Sequence, residues 1–508
     1  MIRQLSLIAV VWGVAVSGVR VEAQQTRPAP ILKAGFAERD ITPAIGMEQP
    51  GGYGKVFHQK LHDPCKVRAV VFDDGATRVA LVGVDALMVP RSLVTAARAE
   101  IHDRCGIPPG AVLVGASHSH SSGPTGMVQP GEFDHASPLV RSLAYEKSSC
   151  ADAGYLSRVQ REIVGAVEEA NTRRTEARCG VGSGVEDQVA FNRRFRMKNG
   201  LTFTHPGKGN PDIVAVAGPT DPQVGVIGVW NTKGDFLGCV VNYACHATTN
   251  PGGISANWIQ PLEATIRGAM GAGATVVFLQ GFCGDVTQVD NLSQYDERPG
   301  DDGARFVGTR VGAEAVKVLA SVERGTLQPV SARSQVLRLP RRAPAPQRVK
   351  QCLELVRKDP TAVGHTEWTF AKEIVLLDAI LAKEPFVEAE IQAIQIGPAV
   401  FLAAPGEMFC QLGLDLKAAS GFPFTFPVEL ANGCVGYVPT EDAFGEHGGG
   451  YETRLTSYSN LPPDAGRKMV DAALGLAHRM KPGQVPARPS APPFRAPWSY
   501  GDVAPELK

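Results

Sequence analysis

At 508 residues, with 44% hydrophobic and 20% charged side chains, the chain has the make-up of an ordinary globular protein and enough length to bury a large core. Its 51 Lys and Arg balance its 51 Asp and Glu, so composition gives no electrostatic reason to expect nucleic acid or an anionic membrane as the main partner. The first residues, MIRQLSLIAVVWGVAVSGVRVEA, place Arg3 before an apolar run that ends in small residues. This pattern predicts a cleaved signal peptide over residues 1–23 and a secreted or periplasmic mature chain with no transmembrane span; an uncleaved anchor is the alternative.

Export permits disulfides among the 10 cysteines, although no C-x-x-C occurs. Cys239, Cys245, Cys283 and Cys410 sit in apolar runs, where buried thiols and bridges are both open. Cys65, Cys105, Cys150 and Cys179 lie in more polar or helix-end settings and are the better disulfide candidates.

Strands and helices alternate along the chain. Ile31–Ile41, Val67–Asp73 and Val79–Val84 read as strands, Val94–Cys105 as a helix, and the AVLVGASHSH run, Ala111–His120, as a further strand. A helix over Leu156–Ala170 leads to the loop Phe191-Asn192-Arg193-Arg194. Val224–Val229 and Phe236–Tyr243 are expected to form a hairpin across Thr232-Lys233-Gly234. Trp258–Ala269 reads as a helix, Thr275–Gln280 as a buried strand and Ala304–Ser321 as a long helix. The Pro-rich stretch Arg341–Gln347 leads into a charged helical excursion over Arg348–Lys383. The class expected is α/β, with mixed β-sheets surrounded by helices in one large catalytic domain (30–483) that carries the excursion, followed by a Pro-rich tail (484–508). The crowded Gly268, Gly271 and Gly273 lack the strand-turn-helix context of a nucleotide loop.

Three apolar segments end in groups able to bind a metal. AVLVGASHSHSSGP runs out into His118 and His120, whose i, i+2 spacing on a strand would aim both rings to one side. VVNYACH ends in His246, and AVFLAAPGE ends in Glu407. Ligands in open sheets gather where strands end, so the three ends are expected to converge on one site.

The ordered set GFAERDITPAIG, GASHSHSSGPTG, FNRRF, VNYACHATTN, FLQGFCGDVTQ, APGEMF and GYVPTEDAF…GGGYETR resembles the catalytic domain of the neutral/alkaline non-lysosomal ceramidases, over roughly Ala34 to Met480. The resemblance implies a Zn²⁺ ion held by His118, His246, Glu407 and Tyr437. It places His120 and Tyr451 beside the substrate carbonyl as donors to the oxyanion, with Arg193 orienting a polar part of the substrate. Two imidazoles, a carboxylate and a phenol oxygen would leave an open position for an activated water.

Two departures from the family stand out. Thr287, in Gly284-Asp285-Val286-Thr287-Gln288, occupies the place of the family's serine, and its restricted χ1 favours a positioning role over attack; Asp285 is expected to cap or orient. After the expected helix Ala465–Met480 the sequence reads as the tail, not as the family's immunoglobulin-like domain. The implied activity is cleavage of an N-acyl, ceramide-like linkage in an acylated small molecule or lipid. An esterase on the same site and a non-catalytic ligand-binding descendant remain alternatives, and the oligomeric state is unspecified. The loops Gly123–Ser149, Asn199–Asp221 and Asn291–Asp302 are expected to shape the pocket.

Overall fold

The segment Lys66–Asp73, KVRAVVFD, is buried at every interior position, the pattern of a strand covered on both faces. In the computed structural model, which describes residues 31–298, 300–501 and 503–508, this strand lies inside an eight-stranded mixed sheet. It pairs antiparallel with Lys33–Asp40 and with Arg78–Val84. Val112–Ala116 closes one edge, parallel to Arg78–Val84. On the other side the sheet continues through Thr175–Val185, Gln223–Asn231 and Phe236–Tyr243 to Thr275–Gln280. The two ends approach each other closely: a Cβ at Gly83 would lie 2.4 Å from the Phe278 carbonyl oxygen. The expected signal peptide lies outside the described residues.

The hairpin foreseen at Gln223–Asn231 and Phe236–Tyr243 is antiparallel, and Gly234 in its turn has φ of 93°. A second sheet orders Val330–Pro340, Phe386–Ile396, Ala399–Ala403 and Phe424–Val428. Its first two strands are paired out to Pro340 and Phe386. The helices Pro346–Leu355, Pro360–Val363 and His365–Lys383 therefore form an insertion at the open end of a β-ladder. Among the described residues, no helix is long and apolar enough to cross a membrane.

The disulfide expectation is corrected. All of the cysteines, Cys65, Cys105, Cys150 and Cys179 included, are free thiols. Each candidate is taken up by a different element. Cys105 ends the helix Arg91–Cys105, Cys179 lies in Thr175–Val185, Cys65 leads into Lys66–Asp73, and Cys150 Sγ donates to the carbonyls of Ala144 and Ser148, 3.3 Å from each.

One buried ion cluster ties the first sheet to the helix Ile259–Met270. Arg68 Nη1 donates to Asp85 at 2.8 Å and Arg68 Nε to Glu263 at 3.0 Å, while Lys66 Nζ adds a 3.0 Å contact to Glu263. Asp85 sits where the strand Arg78–Val84 ends, and its carboxylate also accepts the Lys66 amide at 2.8 Å, so the cluster fixes the exit that leads to the site. Burial alone would raise the Glu263 carboxyl, but Arg68 and Lys66 outweigh it and hold it at about 2. A carboxyl depressed from 4.5 stabilises the fold above that pH and surrenders the stability as pH falls towards about 2. Glu263→Gln, which breaks a buried pair, is expected to cost about 3 kcal/mol at neutral pH. In urea titrations the gap between wild type and variant should close as pH drops from about 4.5 to 2; a gap independent of pH would contradict the assignment.

Candidate metal centre

The strand that leads to His118 stops at Ala116. Ser117 N donates to Val84 O at 2.8 Å and Ser119 N to Ala86 O at 3.1 Å, so the chain continues alongside the segment after Arg78–Val84. Between them His118 adopts φ of 61°, a left-handed conformation that an L-residue reaches only at a cost of about 1–2 kcal/mol. Strand alternation is thus not what brings His118 and His120 together, which corrects the i, i+2 expectation. The left-handed residue turns the chain, and the His120 amide then donates to Ala247 O at 3.2 Å.

The other two arms differ from simple strand ends as well. His246 follows the strand Phe236–Tyr243 after a break, and its amide donates to Val286 O at 3.1 Å. The strand before Glu407 ends at Ala403; Glu407 starts a separate two-residue strand, Glu407–Met408, parallel to Tyr437–Val438. That pairing sets Glu407 beside Tyr437.

These backbones bring three acceptors to one point. His118 Nδ1 lies 2.9 Å from Leu87 O and His246 Nδ1 lies 2.8 Å from Cys283 O, contacts that require the proton on Nδ1 in both rings. The Nε2 atoms are turned the other way, each 3.2 Å from Glu407 Oε2. Glu407 Oε2 is buried and has no hydrogen-bond donor. Its other oxygen accepts the Tyr458 hydroxyl at 2.7 Å. His120 Nε2 stands 3.3 Å from His118 Nε2. Ligands about 2.0–2.1 Å from a tetrahedral ion are separated by about 3.3–3.4 Å, so these spacings match the edges of a coordination tetrahedron. The donor atoms of His118, His120 and His246 all lie within 4.8 Å of one another and could hold a metal ion.

Burial would raise the Glu407 carboxyl, but His118 and His246 outweigh it and hold it well below the usual carboxylate range. Burial, then Arg193 and His118, push His246 down to about 3, so its ring is neutral. Burial, then His118 and His246, hold His120 well below the ordinary imidazole range. For His118 the Glu407 charge overcomes burial and raises the ring. Burial chiefly drives the Tyr437 and Tyr451 phenols upward, so both keep their protons.

Arg193 is buried. Its Nε donates to the fully buried Glu452 at 3.0 Å, Nη2 to Gly284 O at 2.7 Å and to Tyr437 Oη at 3.1 Å, and Nη1 lies 3.2 Å from His246 Nε2. Tyr437 and Tyr451 share a 3.0 Å hydroxyl contact. Tyr437 therefore meets Arg193 and Tyr451 through its hydroxyl, not the two histidines. Thr287 is set apart: its hydroxyl donates to Gln288 at 2.9 Å and lies 3.3 Å from that of Thr248. Asp285 accepts from the amide of Cys410 at 2.8 Å and from Asn192 at 2.8 Å, an orienting role.

Two participants carry no signal in the sequence. Tyr458 and Glu452 lie in the polar segment at and after the Gly-rich GGGYETR stretch, and neither stands at a strand end or in a metal-type spacing. Only the tertiary structure aims them inward.

His118, His120, Glu407, Tyr437, Tyr451 and Tyr458 line one end of a cavity of about 490 Å³. Leu87, Met127, Tyr53 and Phe370 supply apolar lining. The walls correct the loop expectation. Of the three loops expected from sequence, Gly123–Ser149 contributes Met127, whereas Asn199–Asp221 and Asn291–Asp302 do not border the cavity. Its remaining wall comes from Gly51–Tyr53 and from the first turns of the inserted helix His365–Lys383.

Solved structures sharing this fold include the neutral ceramidase from Pseudomonas aeruginosa, 20% identical over 90% of this chain and 76% of that one, with a TM-score of 0.64. A ceramidase complexed with C2 is 19% identical over 91% of this chain and 77% of that one, with a TM-score of 0.63. The mixed α/β architecture of this chain is thus a ceramidase-like fold. No protein-family model and no curated protein sequence matches the chain.

Gly51 offers a direct probe of the site. It has φ of 113°, and a Cβ there would lie 2.3 Å from His120 Nδ1. Gly51→Ala is expected to displace the His120 ring and to cost about 1–2 kcal/mol of backbone strain. A crystal structure of the variant together with its urea midpoint checks both; an unmoved ring would contradict the close packing.

Proposed function

We propose that the protein is an exported zinc-dependent amidohydrolase that cleaves an N-acyl, ceramide-like linkage. The observation that carries this reading is the meeting of His118 Nε2 and His246 Nε2 with Glu407 Oε2, each 3.2 Å from that buried oxygen, which has no hydrogen-bond donor. Buried acceptors facing one another repel unless a cation lies between them. Two neutral imidazoles and a carboxylate suit zinc, and the family resemblance would add as fourth ligand the Tyr437 hydroxyl, which here meets Arg193 and Tyr451. The fold shared with two ceramidase structures supports the choice of an amide over other carbonyl compounds. The domain bounds 30–483, the tail 484–508 and the signal peptide 1–23 belong to the same proposal.

Zinc bound there would supply a Lewis acid and a water made acidic enough to serve as nucleophile near neutral pH. The side chains do the rest. The apolar wall of Leu87, Met127 and Phe370 receives the acyl portion and excludes bulk water. Tyr451, whose phenol stays protonated, and His120, whose ring stays neutral, donate to the carbonyl oxygen as negative charge develops on it. Arg193 keeps a permanent positive charge behind Tyr437 and Tyr451, held by Glu452, which favours that charge build-up through the two phenols; it does not line the cavity, which replaces the expected contact with a polar part of the substrate. Tyr458 fixes the carboxylate rotamer of Glu407 through its 2.7 Å hydrogen bond. Thr287 lies in the short strand Val286–Thr287, next to the Val286 carbonyl that accepts the His246 amide, and its hydroxyl ties Gln288 and Thr248 together. Water adds to the carbonyl carbon, the C–N bond breaks, and a carboxylic acid and a free amine leave.

Metal analysis and hydrolysis of a fluorogenic N-acyl amide test the reading together. Wild type should contain one zinc per chain and turn the amide over. His118→Ala and Glu407→Ala should lose the metal and reduce turnover by about 10²-fold or more. Cleavage of esters with amides untouched, or zinc uptake with no turnover on any acyl compound, would overturn the assignment.

A further inference from the structure

The loop that holds His246 and the strand that carries Glu407 come from distant parts of the chain, yet their ligand atoms meet within 3.2 Å. One side chain spans both. Glu429, fully buried, accepts the backbone N–H of Cys283 at 2.9 Å and that of Met408 at 3.0 Å on the same oxygen, Oε2. Its Oε1 accepts the Cys283 thiol at 3.0 Å. Cys283 is the residue whose carbonyl fixes the His246 ring, and Met408 is the immediate neighbour of Glu407. The adjoining Gly284 and Met408 are also joined by a 2.8 Å backbone bond, and a Cβ at Gly284 would lie 2.4 Å from Glu407 O. The backbone at Glu429 is itself held in place, since the Glu429 amide donates to Gln280 O at 3.0 Å and Leu430 follows with φ of 48°.

We propose that Glu429 is a positioning residue for the metal centre, a clamp that sets the His246 Nε2 to Glu407 Oε2 separation by holding the Cys283 and Met408 amides on one oxygen. It touches none of the ligand side chains. The two amides and the thiol are its hydrogen-bond donors, and the His118 and Glu407 side chains act on it only through their charge. Removing the carboxyl leaves two buried N–H groups without an acceptor and frees the loop and the strand to drift apart. Partners of this kind, one step behind the ligands, typically change metal affinity by about 10–100-fold when lost. Glutamine keeps one oxygen in place to accept both amides. Aspartate, shorter by one methylene, cannot reach them from the same backbone.

The inference rests on the metal reading above, and zinc affinity by competition with a chelating dye, measured beside the melting temperature of the metal-free protein, separates the two. Glu429→Ala is expected to weaken zinc binding about 10–100-fold and to reduce the rise in melting temperature that zinc confers, while Glu429→Gln stays within about threefold of wild type. Should the alanine variant fail to fold, Glu429→Asp against Glu429→Gln makes the same comparison, with about tenfold weaker binding expected for aspartate. Variants that melt earlier without metal yet bind zinc as tightly as wild type would overturn the clamp and leave the metal site standing. A wild-type protein that takes up no zinc would overturn both.

Discussion

Two imidazole Nε2 atoms face one buried carboxylate oxygen across about the edge length of a coordination tetrahedron. Much of the surrounding structure serves that arrangement. The carbonyls of Leu87 and Cys283 take the Nδ1 protons and so dictate which nitrogen is free. Tyr458 occupies the second oxygen of Glu407, leaving the first without a donor. A cation at this point would satisfy the three atoms together, whereas a protein donor could satisfy at most one or two.

The ligands are delivered by the ends of separate elements, and the strain is concentrated at the delivery. His118 takes a left-handed conformation two residues after its strand ends, and Leu430 takes one directly after Glu429. Neither position carries a glycine, so the surrounding pairing must impose both conformations. The Arg68–Asp85–Glu263 cluster does part of this for His118 by anchoring the exit of Arg78–Val84, upstream of the Leu87 carbonyl. The cavity beyond the ligands owes its wall to an insertion, the helix His365–Lys383, placed at the open end of the Val330–Pro340 and Phe386–Ile396 ladder. Changes in that insertion can alter what the cavity admits without disturbing the sheet that holds the ligands.

Much of this is legible in the sequence, and the failures have physical causes. Thr275–Gln280 and Phe236–Tyr243 fall where apolar runs place them, because buried strands read as continuous β-branched segments. The convergence of His118, His246 and Glu407 follows from their place after apolar runs, but strand alternation is the wrong reason for the pairing of His118 with His120. Alternation along a strand is local, whereas the left-handed turn at His118 depends on pairing with residues 84–87 and 247. Tyr458, Glu452 and Glu429 carry no local signal, since a buried carboxyl or phenol is chosen by partners far away in the chain. Irregular loops are the expected pocket wall on the premise that loops shape sites, but here a helix and the Gly51–Tyr53 segment do so.

The most direct measurement of the central feature is X-ray absorption spectroscopy at the zinc edge on the metal-loaded protein in solution. The expected spectrum has a four-coordinate first shell of nitrogen and oxygen at about 2.0–2.1 Å, with the outer scattering of at least two imidazole rings. A six-coordinate shell of oxygen alone, with no imidazole scattering, would contradict the coordination inferred for His118, His246 and Glu407.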